Sequence, residues 1–456
     1  MNIKIGLEIH VQLTALKSKL FCYCPTDYRT KEPNTNVCPI CLGLPGTLPL
    51  LNKEALKHAI MLALALNCNI SDNIMFYRKN YFYPDLPKNF QITQYNAYGI
   101  SSIGYNGKII VNDKVIRIRR VQLEEDPGRL VHENRNTYID YNRAGIALIE
   151  IVTEPDFDEP KVVRDFLNKL SNMLIHVGIY PELEGAIRCD ANISIDDGNR
   201  VEIKNVNSFK DVEKALLFEI SRQKSLIIKG ISIEAETRHW DDTRRITISS
   251  RSKEEEEDYR YFPEPDIPII PISNELIDKI KDSMPELPDE KLIRLTSLGI
   301  NEYVAMIIIK DKVIANIFDD AIRYYNNYKE IANWIASDLK GYIDKSVDKK
   351  ITGKHIAELV MMIDNAMLTR PLAKQVLLEM VKSGELPNVI VKKMNLEDNN
   401  LNAIIDKVLE EEPKAVKDAL SNEKAINFLL GKVMKYTNGK ADPKIALELI
   451  RNKIKR

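Results

Sequence analysis

Seventeen of the chain's 21 prolines lie at or before Pro288. Six of those, from Pro263 to Pro288, crowd a stretch of 26 residues, and only four follow in the last 168. Proline lacks the N–H that a helix interior needs, and its ring clashes with the preceding turn. A proline-dense stretch that gives way to a proline-poor one is therefore a boundary into helical structure. Before it, period-two patterns dominate. Ile3, Ile5, Leu7, Ile9, Val11 and Leu13 alternate with Asn2, Lys4, Glu8, His10 and Gln12, the pattern of a strand with one face on a core. Ile187 to Ile195 alternates as strictly, and Asp196-Asp197-Gly198-Asn199 then leads into Val201 to Lys204, which predicts a hairpin. Helical spacing intervenes near 53–67, 159–177 and 208–228. The expected fold class is α+β, a mixed or antiparallel sheet domain over residues 1–285. A helical domain over 286–397 and a small helical tail over 398–456 follow. In the tail, Asp442-Pro443 reads as an N-cap followed by proline at the first helical position.

With 65 Lys/Arg against 66 Asp/Glu, the chain carries a formal net charge of −1, which excludes a uniformly basic nucleic-acid binder. The charge is unevenly placed. From Ala425 onward there are 8 Lys/Arg and 2 Asp/Glu, a local excess of +6. An apolar content of 44% excludes a disordered chain. Neither a membrane-spanning apolar run nor a signal peptide is visible, so a cytoplasmic protein with no membrane partner is expected. Six cysteines in 456 residues make no disulfide scaffold. The glycine-rich phosphate loop, the dinucleotide fingerprint, H-E-x-x-H and G-x-S-x-G are all missing from the sequence.

Four constellations could carry chemistry. Cys22 and Cys24, then Cys38 and Cys41, are two close pairs separated by a loop poor in core-forming residues. Four thiolates can close a tetrahedral structural zinc site, and the metal would supply the stability that packing cannot. Four reduced cysteines are the competing reading. Glu8 and His10 are two apart on a strand, roughly 7 Å along one face, where they could share a cation or simply be solvated. Glu124-Glu125-Asp126, and Glu150 inside an apolar run, need compensating partners. A metal is one possibility, and an ion pair to Arg143 or Arg188 explains Glu150 at least as well. The segment from Tyr77 to Lys88 interleaves aromatics, cations and prolines, which suits either a cavity lining or a pinned connection.

These elements occur together and in one order. Gly6 to Leu13 comes first, then Cys38 to Gly46, Arg78 to Asp85, Leu123 to Asp126, Leu148 to Val152, Arg188 to Ser194 and Asp258 to Asp266. The series resembles the B-subunit family of aspartyl/glutamyl-tRNA amidotransferases. The resemblance implies an ATP-dependent ligase that phosphorylates the side-chain carboxylate of Glu on tRNA(Gln), or Asp on tRNA(Asn). Ammonia from an amidase partner, the A subunit of a heterotrimer with a small C subunit, would then displace phosphate. It further implies that Glu8, His10, Glu125 and Glu150 surround Mg²⁺, and that Lys79 lines or gates the ammonia passage. Arg188, Asp190, Asn192, Glu202 and Lys204 would contact substrate. Cys22, Cys24, Cys38 and Cys41 would form a structural zinc knuckle, and the basic tail would hold misacylated tRNA by its phosphates. Gln122, Pro127, Arg129 and Ile146-Ala147 depart from the pattern, standing where the family commonly has His, Ala, Lys and Thr-Pro. A non-catalytic tRNA-binding or assembly subunit of the same complex is the alternative.

Overall fold

The computed structural model describes residues 1–454 except 97, 98, 100, 101, 180–185, 197, 205, 207, 253–258, 343–350, 395–400, 420–422 and 438–442. Asp197, Asp258 and Asp442 lie outside the described residues. The chain divides into two compact units, Met1–Leu287 and Pro288–Arg456.

The strands of the first unit are β1 (Ile3–Gln12), β2 (Asn69–Ile70), β3 (Asn73–Ile74), β4 (Tyr77–Asn80), β5 (Phe90–Thr93), β6 (Gly104–Val111), β7 (Lys114–Glu125) and β8 (Arg129–Glu133). They continue as β9 (Asn136–Asp140), β10 (Ala147–Thr153), β11 (Ile187–Ile195), β12 (Val201–Lys204), β13 (Glu236–Asp241), β14 (Ile246–Ser252), β15 (Phe262–Pro263) and β16 (Ile270–Pro271). Nine of them form one sheet in the order β14-β13-β12-β11-β1-β10-β7-β6-β2. Every pairing in it is antiparallel except β12 with β13. The expected hairpin is present as β11–β12, with Asn192 opposite Glu202.

The alternation in β1 decides which face is dry. Ile5, Leu7, Ile9 and Val11 are buried in a core shared with Val163, Phe166 and Leu170 of α2 (Pro160–His176) and Val212 and Leu216 of α3 (Phe209–Ile228). α1 (Lys53–Ala65), capped by the Asn52 side chain, packs on the β6–β7 end of the sheet. Burying a side chain such as Leu or Ile contributes on the order of 2 kcal/mol, so this helix-covered face fixes the register of the central strands. A slip of one residue would carry Glu8 and His10 into the core. The opposite face is polar, and the small sheet β15-β4-β5 covers part of it. Here the far segment Tyr259–Asp266 reaches the Tyr77–Lys88 segment. Phe262 pairs with Arg78, whose guanidinium bonds Glu264 at 2.6 and 2.8 Å, and Tyr261 stacks on Tyr95 at 4.0 Å.

Beyond α4 (Asn274–Asp282), the second unit is helical among the described residues. α5 (Pro288–Ser297), α6 (Glu302–Ile309), α7 (Lys312–Ala321) and α8 (Tyr328–Asn333) are followed by a π-helical turn over Trp334–Leu339 and the short α9 (Lys340–Tyr342). Then come α10 (Gly353–Asp364), α11 (Arg370–Ser383) and α12 (Pro387–Lys393). The single periodic stretch near 301–326 is broken into α6 and α7. The Asp311 side chain caps α7, accepting from the N–H groups of Val313 and Ile314. A separate apolar cluster, including Leu401, Ile405, Val408, Leu429, Val433 and Ile450, holds α13 (Leu401–Glu411), α14 (Pro413–Ala419), α15 (Glu423–Tyr436) and α16 (Pro443–Ile454). Among the described residues, no helix is long and apolar enough to cross a membrane.

Candidate active site on the polar sheet face

Register brings the polar side chains together. Arg188 on β11, His10 on β1, Glu150 on β10 and Gln122 on β7 are successive cross-strand partners. Beside that row, Lys204, Asp190 and Glu8 form a second, with Arg120 at its far end. His10 Nε2 stands 3.8 Å from Glu8, 3.7 Å from Glu150 and 4.0 Å from Glu124. Ligand atoms of Glu8, His10 and Glu150 all lie within 4.8 Å of one another.

Three carboxylates around one imidazole make an electrostatically uneven site. Burial opposes a charge on His10, yet Glu150, Glu8 and Glu124 outweigh it and raise the imidazole's pKa. Glu150 is pushed up by burial and by the nearby Glu8, whereas Glu8 is held low, against its own burial, by His10, Lys204, Lys79 and Arg120. Glu150 accepts from Gln122 Nε2 at 3.0 Å and lies 3.4 Å from Arg120; neither Arg143 nor Arg188 pairs with it, since both sit beside Asp126 instead. Gln122 Oε1 is buried with no hydrogen-bond partner. Converging carboxylates and an orphaned amide oxygen are hard donors, so the residues present fit a magnesium ion.

Glu125 is not part of this group. Neighbouring residues of a strand face opposite sides, and the parity that puts Arg120 and Gln122 on the polar face puts Glu124 there too. Glu124 accepts from Gln91 and Thr93, which lock it at the site. Glu125 instead takes Lys88 at 2.5 Å and the Ile92 N–H at 2.8 Å, and lines a cavity of about 230 Å³ beside Cys22, Cys41 and Arg78. The alternation of Val121 and Leu123 with Gln122 and Glu124 carried the signal for Glu124. Lys88 closes the aromatic and cationic segment that the sequence offers as a cavity lining, whereas nothing in the sequence marks Gln91, Thr93 or Arg120.

Lys79, on β4, lies with its ammonium 4.7 Å from the Tyr259 ring. Burial would discharge it, but Glu124, the tyrosines and Glu8 raise its pKa well above the ordinary lysine value. On the hairpin, Lys204 bonds Asp190 at 2.9 Å and approaches Glu202 at 3.6 Å. Glu202 also accepts from Thr237 at 3.0 Å, which ties it to the sheet's outer strands. Asn192 stands opposite Gly6, two residues before Glu8 on β1.

The sulfur atoms of Cys22, Cys24, Cys38 and Cys41 lie within 4.8 Å of one another, and no disulfide joins them. The Cys38 N–H points at Cys41 Sγ, 3.1 Å away, and the fully buried Lys19 places its ammonium 3.8 Å from the same sulfur. A hydrogen bond from Cys22 lowers Cys41 to about 5, burial opposing and Lys19 assisting, while burial pushes Cys24 up to about 12. A close set of four sulfur donors fits zinc with no position left for substrate.

The profile described as "GatB/GatE catalytic domain" matches residues 3–278, and that described as "GatB domain" matches residues 316–454. The chain thus combines the catalytic and C-terminal domains of a ligase-type amidotransferase component. It belongs to the aspartyl/glutamyl-tRNA amidotransferase B-subunit family. The B subunit of the aspartyl/glutamyl-tRNA(Asn/Gln) amidotransferase of Sulfurisphaera tokodaii is 47% identical over 466 residues, covering 98% of each chain. That of Sulfolobus acidocaldarius is 48% identical and covers 99% of each chain. That of Thermotoga maritima is 42% identical over 98% of this chain and 97% of its own.

Proposed function

We propose that this chain activates the side-chain carboxylate of Glu on tRNA(Gln), or of Asp on tRNA(Asn), with ATP, and that ammonia then converts it to the amide. The convergence of Glu8, His10 and Glu150, with Glu124 beside them, on a sheet face flanked by cations carries this reading. A carboxylate is a poor electrophile. Its oxygen attacks the γ-phosphorus, ADP departs, and the resulting acyl phosphate has a good leaving group. Ammonia adds at the acyl carbon, loses a proton, and expels inorganic phosphate, leaving the amide. Phosphoryl transfer asks the protein for positioning and charge compensation more than covalent help.

Glu8, His10, Glu150 and Glu124 are the groups that would hold magnesium, and the ion would neutralise phosphate charge when bound. Arg188, Asp190, Asn192, Glu202 and Lys204 extend the same face and orient the substrate. The Lys204–Asp190 pair presents a fixed cation one strand away from Glu8. Lys79, charged and screened by tyrosines, lines the route by which ammonia reaches the face. Glu125 and Lys88 belong to the neighbouring cavity in this reading. The four cysteines hold a structural zinc, and the basic tail holds tRNA. The ammonia comes from an amidase A subunit, with a small C subunit completing a soluble heterotrimer.

An isotope experiment tests the central step. The full chain, assembled with its amidase partner, is given ATP, glutamine and misacylated tRNA whose side-chain carboxylate carries ¹⁸O. Label is expected in the inorganic phosphate, one oxygen for each amide formed. Amide formation with unlabelled phosphate would overturn carboxylate phosphorylation. Absence of amidation by the assembled complex would favour a purely structural role for the chain.

A further inference from the structure

Two lysines are buried among the described residues, Lys19 and Lys291. Lys291 has an anion beside it, Asp319 at 2.6 Å. Lys19 is fully enclosed, and among the described residues no carboxylate pairs with it. Its ammonium donates to the Asn36 carbonyl at 2.9 Å and faces Cys41 Sγ at 3.8 Å. An ammonium taken out of water is costly unless an anion compensates it. At the tip of Lys19, the group able to carry negative charge is the Cys41 sulfur.

The placement is braced from several sides. The Lys19 backbone N–H bonds the Cys24 carbonyl at 2.9 Å, which ties the start of the side chain to the first cysteine pair. Asn36, which receives the ammonium, is held in turn. Its N–H donates to Asn142 Oδ1 at 2.7 Å, and its side-chain amide donates to the Pro25 carbonyl at 2.8 Å. A Cβ built on Gly145 would touch Lys19 Cδ at 3.5 Å and Cys41 Cβ at 3.6 Å, so one bare backbone position seats both side chains. Glu125 comes near the same glycine, but its charge is already matched by Lys88 at 2.5 Å. Cys41 also receives the Cys38 N–H at 3.1 Å, so two donors converge on one sulfur.

We propose that Lys19 is the internal counter-ion of the four-sulfur centre, and that its fixed charge sets how tightly zinc is held there. The inference rests on the structural zinc of the function proposed above and names what retains it. Zinc bound by four thiolates leaves a net double negative charge. Water screens little of that charge at a buried sulfur, so a cation 3.8 Å away favours the metal-bound assembly over neutral thiols. The same ammonium is left without an anion when the sulfurs are neutral, so lysine and metal stabilise each other. The bond to Asn36 defines the competing role, a strut that needs a donor at the end of the side chain and no charge.

Zinc retention tests this without reference to turnover. The zinc-loaded full chain is titrated with a chromophoric chelator under a thiol-free reductant. Lys19→Met keeps the apolar stem and removes the charge. Lys19→Gln also removes the charge but keeps an N–H for the Asn36 carbonyl. Each should lower zinc affinity by about tenfold or more, the loss typical of groups that support metal ligands. With Co²⁺ in place of zinc, the thiolate-to-metal charge-transfer band should move to longer wavelength in both variants, because a sulfur that loses a neighbouring cation gives up an electron more easily. Wild-type affinity in Lys19→Gln alone would make Lys19 a strut for Asn36 and overturn the assignment, as would an unmoved band. Zinc held equally by all three chains would overturn this inference and leave the structural zinc standing. A wild-type chain that holds no zinc would overturn both together.

Discussion

Glu124 and Glu125 are joined by one peptide bond and belong to different sites. Glu124 stands 4.0 Å from His10, and Glu125 holds Lys88 at 2.5 Å in another cavity. Glu124→Gln is therefore expected to weaken magnesium binding by about tenfold, the loss of one charge-assisted contact. Glu125→Gln should leave it within about twofold, a separation that Mn²⁺ titration by electron paramagnetic resonance would show. His10 gives a pH-dependent counterpart. Its pKa in the fold lies above the ordinary 6.5, because the surrounding carboxylates outweigh burial. The charged imidazole thus contributes stability that is fully present below its unfolded pKa and is lost as pH rises through the raised value. In EDTA, the advantage in melting temperature of the wild type over His10→Asn should shrink as pH rises from about 6.5 upward. Magnesium affinity should rise over the same window, since proton and metal compete for one nitrogen.

At the scale of elements, the cysteine loop and the packed helices depend on close approaches. The purified chain is expected to hold about one zinc. Cys41→Ser should lose it, with a drop in melting temperature that excess zinc does not restore, as metal analysis and calorimetry would report. Zinc uptake should release protons, because burial holds Cys24 protonated with a pKa of about 12. In the second unit, α10 begins at Gly353, whose N–H bonds Asp320 at 2.8 Å. A Cβ there would meet the Ala321 nitrogen at 2.1 Å and the Asp320 carbonyl carbon at 2.4 Å. These are the two atoms of one peptide bond at the end of α7, which cannot yield as a side chain could, so Gly353→Ala is expected to cost about 2 kcal/mol or more by overpacking. Urea unfolding of the full chain would measure it.

Over the whole molecule, a net charge of −1 is an average of unlike parts, since the last 32 residues alone carry +6. Within that stretch α15 and α16 pack in an apolar cluster of their own. Deleting residues 395–456 should therefore leave the melting of Met1–Leu287 unchanged while weakening tRNA affinity by about tenfold or more and flattening its salt dependence. Equal losses in ATP hydrolysis and tRNA binding would contradict that division. Sequence alone determined what is local or periodic. The alternation of β1 and β11 assigned Glu8, His10, Asp190 and Asn192 to one face, proline density marked the passage to helices, and paired cysteine spacing marked the four-sulfur cluster. Tertiary structure decided which strands are neighbours and hence which side chains meet. β10 lies between β1 and β7, so Glu150 faces His10 and Gln122 rather than Arg143 or Arg188. Folding the cysteine loop against the β8–β9 hairpin gathers cations more than 150 residues apart in the sequence into one cavity. The physical reason is that periodicity fixes the direction of a side chain along its own element, whereas its partner across the sheet is set by packing between segments that share no local signal.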